Sequence, residues 1–73
     1  MGGKIPQMKA IELVKVLSKL GYVVHHQKGS HLHLRSSYYP TLTVPNHNPI
    51  ARGTLRAIIR EIGISVEAFL ELL

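Results

Sequence analysis

The 73-residue chain contains no cysteine, which excludes disulfide staples and metal sites built on thiolates. No apolar run approaches the roughly 20 residues that a membrane-spanning helix needs. Nor does the start, Met1-Gly2-Gly3-Lys4, lead into an apolar segment of the secretory kind, so the expected setting is the cytoplasm. Repeats, low-complexity tracts and linkers are missing as well. That leaves one domain, residues 1–73, near the lower size limit for unaided folding. Acidic side chains are few: four, against nine Lys and Arg, for a formal charge of +5. Between Glu12 and Glu61 none occurs, whereas Lys15, Lys19, Lys28, Arg35, Arg52, Arg56 and Arg60 all fall in that interval. A field of this sign attracts polyanions such as nucleic acid. On charge alone a solvated, solubilising surface explains it equally well.

What is present is patterned for a globular fold, with 45% hydrophobic residues arguing against disorder. Over residues 8–20, Ala10, Leu13, Val14, Leu17 and Leu20 recur at helical spacing, and Met8, Ile11 and Val16 widen that apolar face. Gly21 stands where a left-handed cap is expected. The period then changes to two. Residues 22–27 read as a strand, Lys28-Gly29 as a turn, and residues 30–35 as a second strand. In it Leu32 and Leu34 face one way and His31, His33 and Arg35 the other. After a connection at residues 36–40, residues 41–44 form a third strand with Leu42 and Val44 inward. Past Pro45-Asn46-His47-Asn48-Pro49, Leu55, Ile58, Ile59 and Ile62 predict a second helix over 54–62, capped by Thr54 or Gly53 and ended by Gly63. Ser65 is placed to cap a short last helix with Val66, Phe69, Leu70 and Leu73 apolar. The predicted class is α+β: an α-β-β-β-α order with a short terminal helix, both main helices on one face of a three-stranded antiparallel sheet, and the His31 face open.

That open face carries the candidate chemistry. Imidazole, with an ordinary pKa of about 6.5, suits proton transfer at neutral pH. RNA can be cut without metal when a base takes the 2′-hydroxyl proton, the oxygen attacks the adjacent phosphate, and an acid protonates the leaving 5′-oxygen. Arg35 could supply a planar cation to the phosphate, and Lys28 with the Gly29 backbone could approach it closely. Taken alone, a strand histidine more often serves packing than catalysis, and His33 reads as a surface neighbour. His25 and His26 are given no role, and His47 either fixes its loop or touches a ligand. Arg52, Arg56 and Arg60 repeat every four residues along helix two, as solvated surface or as a contact for nucleic acid or protein. His31 and His33 could be two ligands of a zinc site, but no helical His-x-x-x-His pair, cysteine or strand carboxylate completes one, so no metal and no cofactor are expected.

At Lys28-Gly29-Ser30-His31 the chain resembles the HicA (YcfA-like) family of toxins from toxin–antitoxin pairs. The likeness extends from Leu13-Val14-Lys15-Val16-Leu17 and Leu20-Gly21-Tyr22 through Thr43-Val44-Pro45-Asn46-His47. It continues in Gly53-Thr54-Leu55-Arg56-Ala57-Ile58-Ile59 and Gly63-Ile64-Ser65, and closes at Phe69-Leu70-Glu71-Leu72-Leu73. Two features depart from many relatives: His31-Leu32-His33-Leu34 replaces adjacent histidines followed by an aromatic residue, and the loop over residues 46–52 is shorter. The resemblance implies a fold like the double-stranded-RNA-binding domain and a ribosome-independent mRNA interferase. It further implies a HicB-type antitoxin that covers the active face, and His31 as catalytic residue. Lys28, Gly29, Ser30, His33, Arg35 and Arg56 are then expected along the nucleic acid. The fold's likeness suggests duplex recognition by shape, while attack by a 2′-hydroxyl needs a flexible phosphate, so single-stranded stretches are expected to be cut. The competing expectations are a non-catalytic RNA-binding module and a protein-interaction domain whose basic face meets an acidic partner.

Overall fold

The first helix, α1 (Ala10–Ser18), begins where Glu12 turns back on the chain and its carboxylate accepts the Lys9 N–H at 2.7 Å. A second orphan donor at this end, the Ala10 N–H, is met from across the fold by Asn48 Oδ1 at 3.1 Å. The helix ends as Gly21 predicts. With φ at 84°, it lets the Gly21 N–H reach Ser18 O at 3.0 Å and the Tyr22 N–H reach Leu17 O at 3.3 Å, the paired closure of a Schellman motif. The structure, a computed structural model, describes residues 4–73. The Met1-Gly2-Gly3 start, whose expected lack of a secretory leader is noted above, lies outside the described residues. Met8 is not helical as expected. It forms an isolated antiparallel bridge with Ile50, whose N–H donates to Met8 O at 2.8 Å.

Three antiparallel strands follow in the spatial order of the sequence: β1 (Val23–Lys28), β2 (His31–Arg35) and β3 (Leu42–Pro45). Each begins one residue later than the periodicity alone predicts. Two helices complete the chain, α2 (Arg52–Ile62) and α3 (Val66–Glu71). The α2 helix starts two residues before Thr54, from an extended Ala51 with no side-chain cap, because the Met8–Ile50 bridge fixes the chain just ahead of it. Its end matches expectation: Gly63, at φ 90°, donates its N–H to Ile59 O and Arg60 O. Ser65 caps α3, its Oγ accepting the Ala68 N–H at 3.0 Å.

The core lies between the helices and one face of the sheet. Leu34, Leu42 and Val44 from the strands meet Leu13 and Leu17 of α1, Leu55, Ile58, Ile59 and Ile62 of α2, and Phe69 of α3. Among the described residues no charged or polar side chain is fully buried except the phenol of Tyr22. Tyr22 stacks on Tyr39 at 6.2 Å and donates its O–H to Pro40 O at 2.6 Å. Burial, with added repulsion from Tyr39 and Glu61, raises its pKa above the ordinary 10.0. Two expected apolar contacts are corrected. Ile11 is 63% exposed and Leu73 52% exposed: Ile11 falls on the outer side of α1, and Leu73 lies beyond the end of α3.

Candidate functional site

The free face of the sheet is assembled by cross-strand pairing. Lys28, His31 and Pro45 form one row, His26, His33 and Thr43 the next, and Val23 and Arg35 a third. Residues directly opposite on antiparallel strands share a face. The other face takes Gln27, Leu32 and Val44, then Val24, Leu34 and Leu42, as the alternation in β2 and β3 requires.

In β1 that alternation is interrupted. Val24 pairs with Leu34 and His26 with His33, so His25 is an extra, unpaired residue in a bulge. Because side chains alternate with a period of two, one inserted residue reverses every side chain beyond it. Without the bulge, His26 and Lys28 would point toward the helices. With it, both join His31 and His33 on the free face. His26 and Lys28 therefore owe their position to His25, and the sequence pattern alone does not reveal this.

The turn that carries the site is tight. Gly29, at φ 59°, and Ser30 connect β1 to β2. Positive φ at the first position only is the pattern of a type II′ hairpin, whose twist suits the flanking strands. A Cβ at Gly29 would meet nothing within 4 Å, so the glycine answers a backbone demand and leaves the outer side of the turn open. Ser30 O accepts the Asn46 N–H at 2.6 Å, which carries the β2–β3 ladder one step past Pro45, a residue with no N–H of its own. His31 is thus the first residue of β2, held between two hydrogen-bonded neighbours, with its side chain exposed.

Lys28 is the cation nearest to His31, directly opposite it, which implies Cβ atoms about 4.5–5.5 Å apart. Arg35 shares the face but lies four residues along the strand, about 13 Å away at the rise of an extended chain, with His33 between. Arg35 also lines an open concavity with Gly21, Val23, His25, Ser36 and Ser37. The two expected phosphate-binding cations therefore flank the histidines from opposite ends. Arg56 is not brought to them. It is exposed on α2 with Arg52 and Arg60, in the helical layer on the far side of the sheet, where it forms a separate basic strip.

The imidazoles are ordered among themselves. The rings of His26 and His33 stack at 4.5 Å with planes 15° apart, and His25 meets His26 edge-on at 5.5 Å. His33 is half-buried, its Nδ1 3.4 Å from Thr43 Oγ1. His47 is exposed in the loop after β3. The four carboxylates, Glu12, Glu61, Glu67 and Glu71, all belong to helices, so the strand face holds cations and imidazoles without an acid. Among the described residues no three metal-ligating side chains come together, and no helix is long and apolar enough to cross a membrane. His26 is the member of this cluster that sequence reading missed. The available signal was the run His25-His26 opposite His31-Leu32-His33 across a two-residue turn, which brings imidazoles face to face once the register is known.

This face, with α1 and α2 behind it, falls within a stretch that matches a known family. A family model described as the HicA toxin of bacterial toxin–antitoxin matches residues 10–64, from the first residue of α1 to just past α2. No curated protein and no solved structure matches the chain.

Proposed function

The chain belongs to the HicA family of toxins from bacterial toxin–antitoxin systems, and from that premise we propose that it is a metal-independent endoribonuclease that cuts mRNA and lowers translation. A HicB-type antitoxin neutralises it by covering the open sheet face. One observation carries the reading: His31 is an exposed imidazole on a strand face free of carboxylates, with Lys28 opposite it.

The chemistry follows from that arrangement. RNA lies along the cationic face with a phosphodiester near His31. The 2′-oxygen attacks the adjacent phosphorus, a 2′,3′-cyclic phosphate forms, and the bond to the 5′-oxygen breaks. His31 carries one of the two protons that must move. The Lys28 ammonium and the Gly29-Ser30 backbone hold the phosphate, and Arg35 takes a neighbouring one. Positive charge placed where negative charge grows on the phosphoryl oxygens lowers the barrier most in such displacements. The exposed position of every one of these groups suits a polymeric substrate that must lie down on a surface.

The test is cleavage of an unstructured RNA by purified protein in EDTA, beside His31→Ala. Wild-type protein is expected to cut, and the variant to lose about 10²–10⁴-fold in rate while keeping its circular dichroism and thermal midpoint. A wild-type protein that shifts RNA on a gel without cutting it identifies a binding module instead. Full activity in His31→Ala removes that residue from the mechanism.

A further inference from the structure

An exposed His31 supplies one proton carrier, but cleavage by a 2′-hydroxyl needs two: one to take the proton from O2′ and one to give a proton to O5′. We propose that His33 is the second, the general acid, and that His26 is its positioning residue. This inference rests on the ribonuclease reading above and extends it.

Three observations point to His33. It shares the free face with His31 two residues along β2, a separation of about 6.6 Å at the strand rise. Two imidazoles so spaced can bracket one phosphodiester, each reaching a different oxygen of the same phosphorus. Second, its ring is held on both sides. His26 stacks on one face at 4.5 Å, and Thr43 Oγ1 meets Nδ1 at 3.4 Å. A hydroxyl both donates and accepts. It can therefore accept from Nδ1–H both while the ring is charged and after Nε2 has given up its proton, because Nδ1 keeps its hydrogen throughout. Thr43 can hold the same orientation through the whole transfer, leaving Nε2 to meet the ligand. Third, the other charged groups on this face are cations placed for the phosphate. Lys28 lies directly opposite His31, and Arg35 lies two residues past His33, so a phosphate at His31 has the Lys28 ammonium beside it and a neighbouring phosphate meets Arg35.

The balance of the step is simple. His31 accepts the 2′-hydroxyl proton as O2′ bonds to phosphorus. The P–O5′ bond breaks, its electron pair goes to O5′, and His33 Nε2–H supplies the proton there. The products are a 2′,3′-cyclic phosphate and a 5′-hydroxyl, and proton exchange with water restores both rings. His26 touches no reacting atom. It keeps the His33 ring upright on a face that no helix covers, and the bulge at His25 is what turns it there.

The decisive experiment uses two oligoribonucleotides, one natural and one with sulfur in place of the bridging 5′-oxygen at the cut site. A thiolate leaves without being protonated, so a missing acid no longer matters. His33→Ala is expected to fall roughly 100-fold or more on the natural RNA, but less than about threefold on the sulfur-bridged one. His31→Ala stays impaired on both. Near-normal rate on the sulfur-bridged RNA also shows that the variant is folded. The alkaline limb of the wild-type pH–rate profile should disappear in His33→Ala. For His26, the alanine variant should lower kcat with KM little changed, and His26→Phe, which keeps a flat ring in the stack, should restore it. Equal loss in His33→Ala on both substrates, or no loss on either, overturns the assignment while leaving His31 standing. Wild-type protein that leaves RNA uncut overturns both readings together.

Discussion

Leu34 and Val24 are directly paired neighbours on the same face of the sheet, yet the first is fully buried and the second 45% exposed. The difference marks two halves of the molecule. Around β3 and the inner part of β2, the helices close over the strands and nearly every apolar side chain is sealed. Along β1 no residue is buried, and the strand is held by its ladder to β2. Stability and chemistry are thereby separated. The covered half carries the apolar burial that drives folding, whereas the uncovered half presents imidazoles and cations whose replacement leaves that burial untouched.

The largest expected stability effect is Leu34→Ala, which opens a void among residues of α1, α2 and β3. Its cost is about 2–5 kcal/mol, read as a lower midpoint in urea. A loss well under 1 kcal/mol would mean that the covered half is not the stabilising one. An intermediate effect comes from pH. The Tyr22 phenol is raised above 10.0 by burial, so above that pH the unfolded chain has lost a proton that the folded chain still holds. Stability from this group is complete below pH 10 and declines as pH rises through the folded value. Titrating the urea midpoint between pH 8 and 11 should show this decline in wild type and a weaker one in Tyr22→Phe; identical profiles would deny the phenol that role. The smallest effect is Val24→Ala, within about 0.5 kcal/mol of wild type, as for surface positions without special contacts. A cost near that of Leu34→Ala would erase the distinction between the halves.

Much of the fold is legible in the residues because periodicity reports burial directly. Leu55, Ile58, Ile59 and Ile62 all face the core as their spacing requires. Gly21 and Gly63 take the left-handed caps assigned to them, and Ser65 caps α3. The failures are those that depend on partners remote in sequence. Met8 leaves the helix for a bridge to Ile50, and α2 starts early for the same reason, since nothing in a local window records a pairing across 42 positions. Ile11 has the hydropathy of a core residue but the wrong angle on α1. For the site, the face carrying His31, His33 and Arg35 follows from alternation in β2 alone. The place of His26 does not, because an inserted residue changes parity only relative to a partner strand. Arg56, expected along the nucleic acid, is exposed on α2, in a different layer from the histidines.

The bulge at His25 has one more consequence. β1 is an outer strand of six residues with Val23 and Val24 exposed, the kind of open border onto which a neighbouring chain can zip and begin to aggregate. An unpaired residue in mid-strand breaks the even spacing of amide and carbonyl groups that such zipping requires and increases the local twist. The same insertion that turns His26 outward thus guards the border of the sheet against uncontrolled self-association.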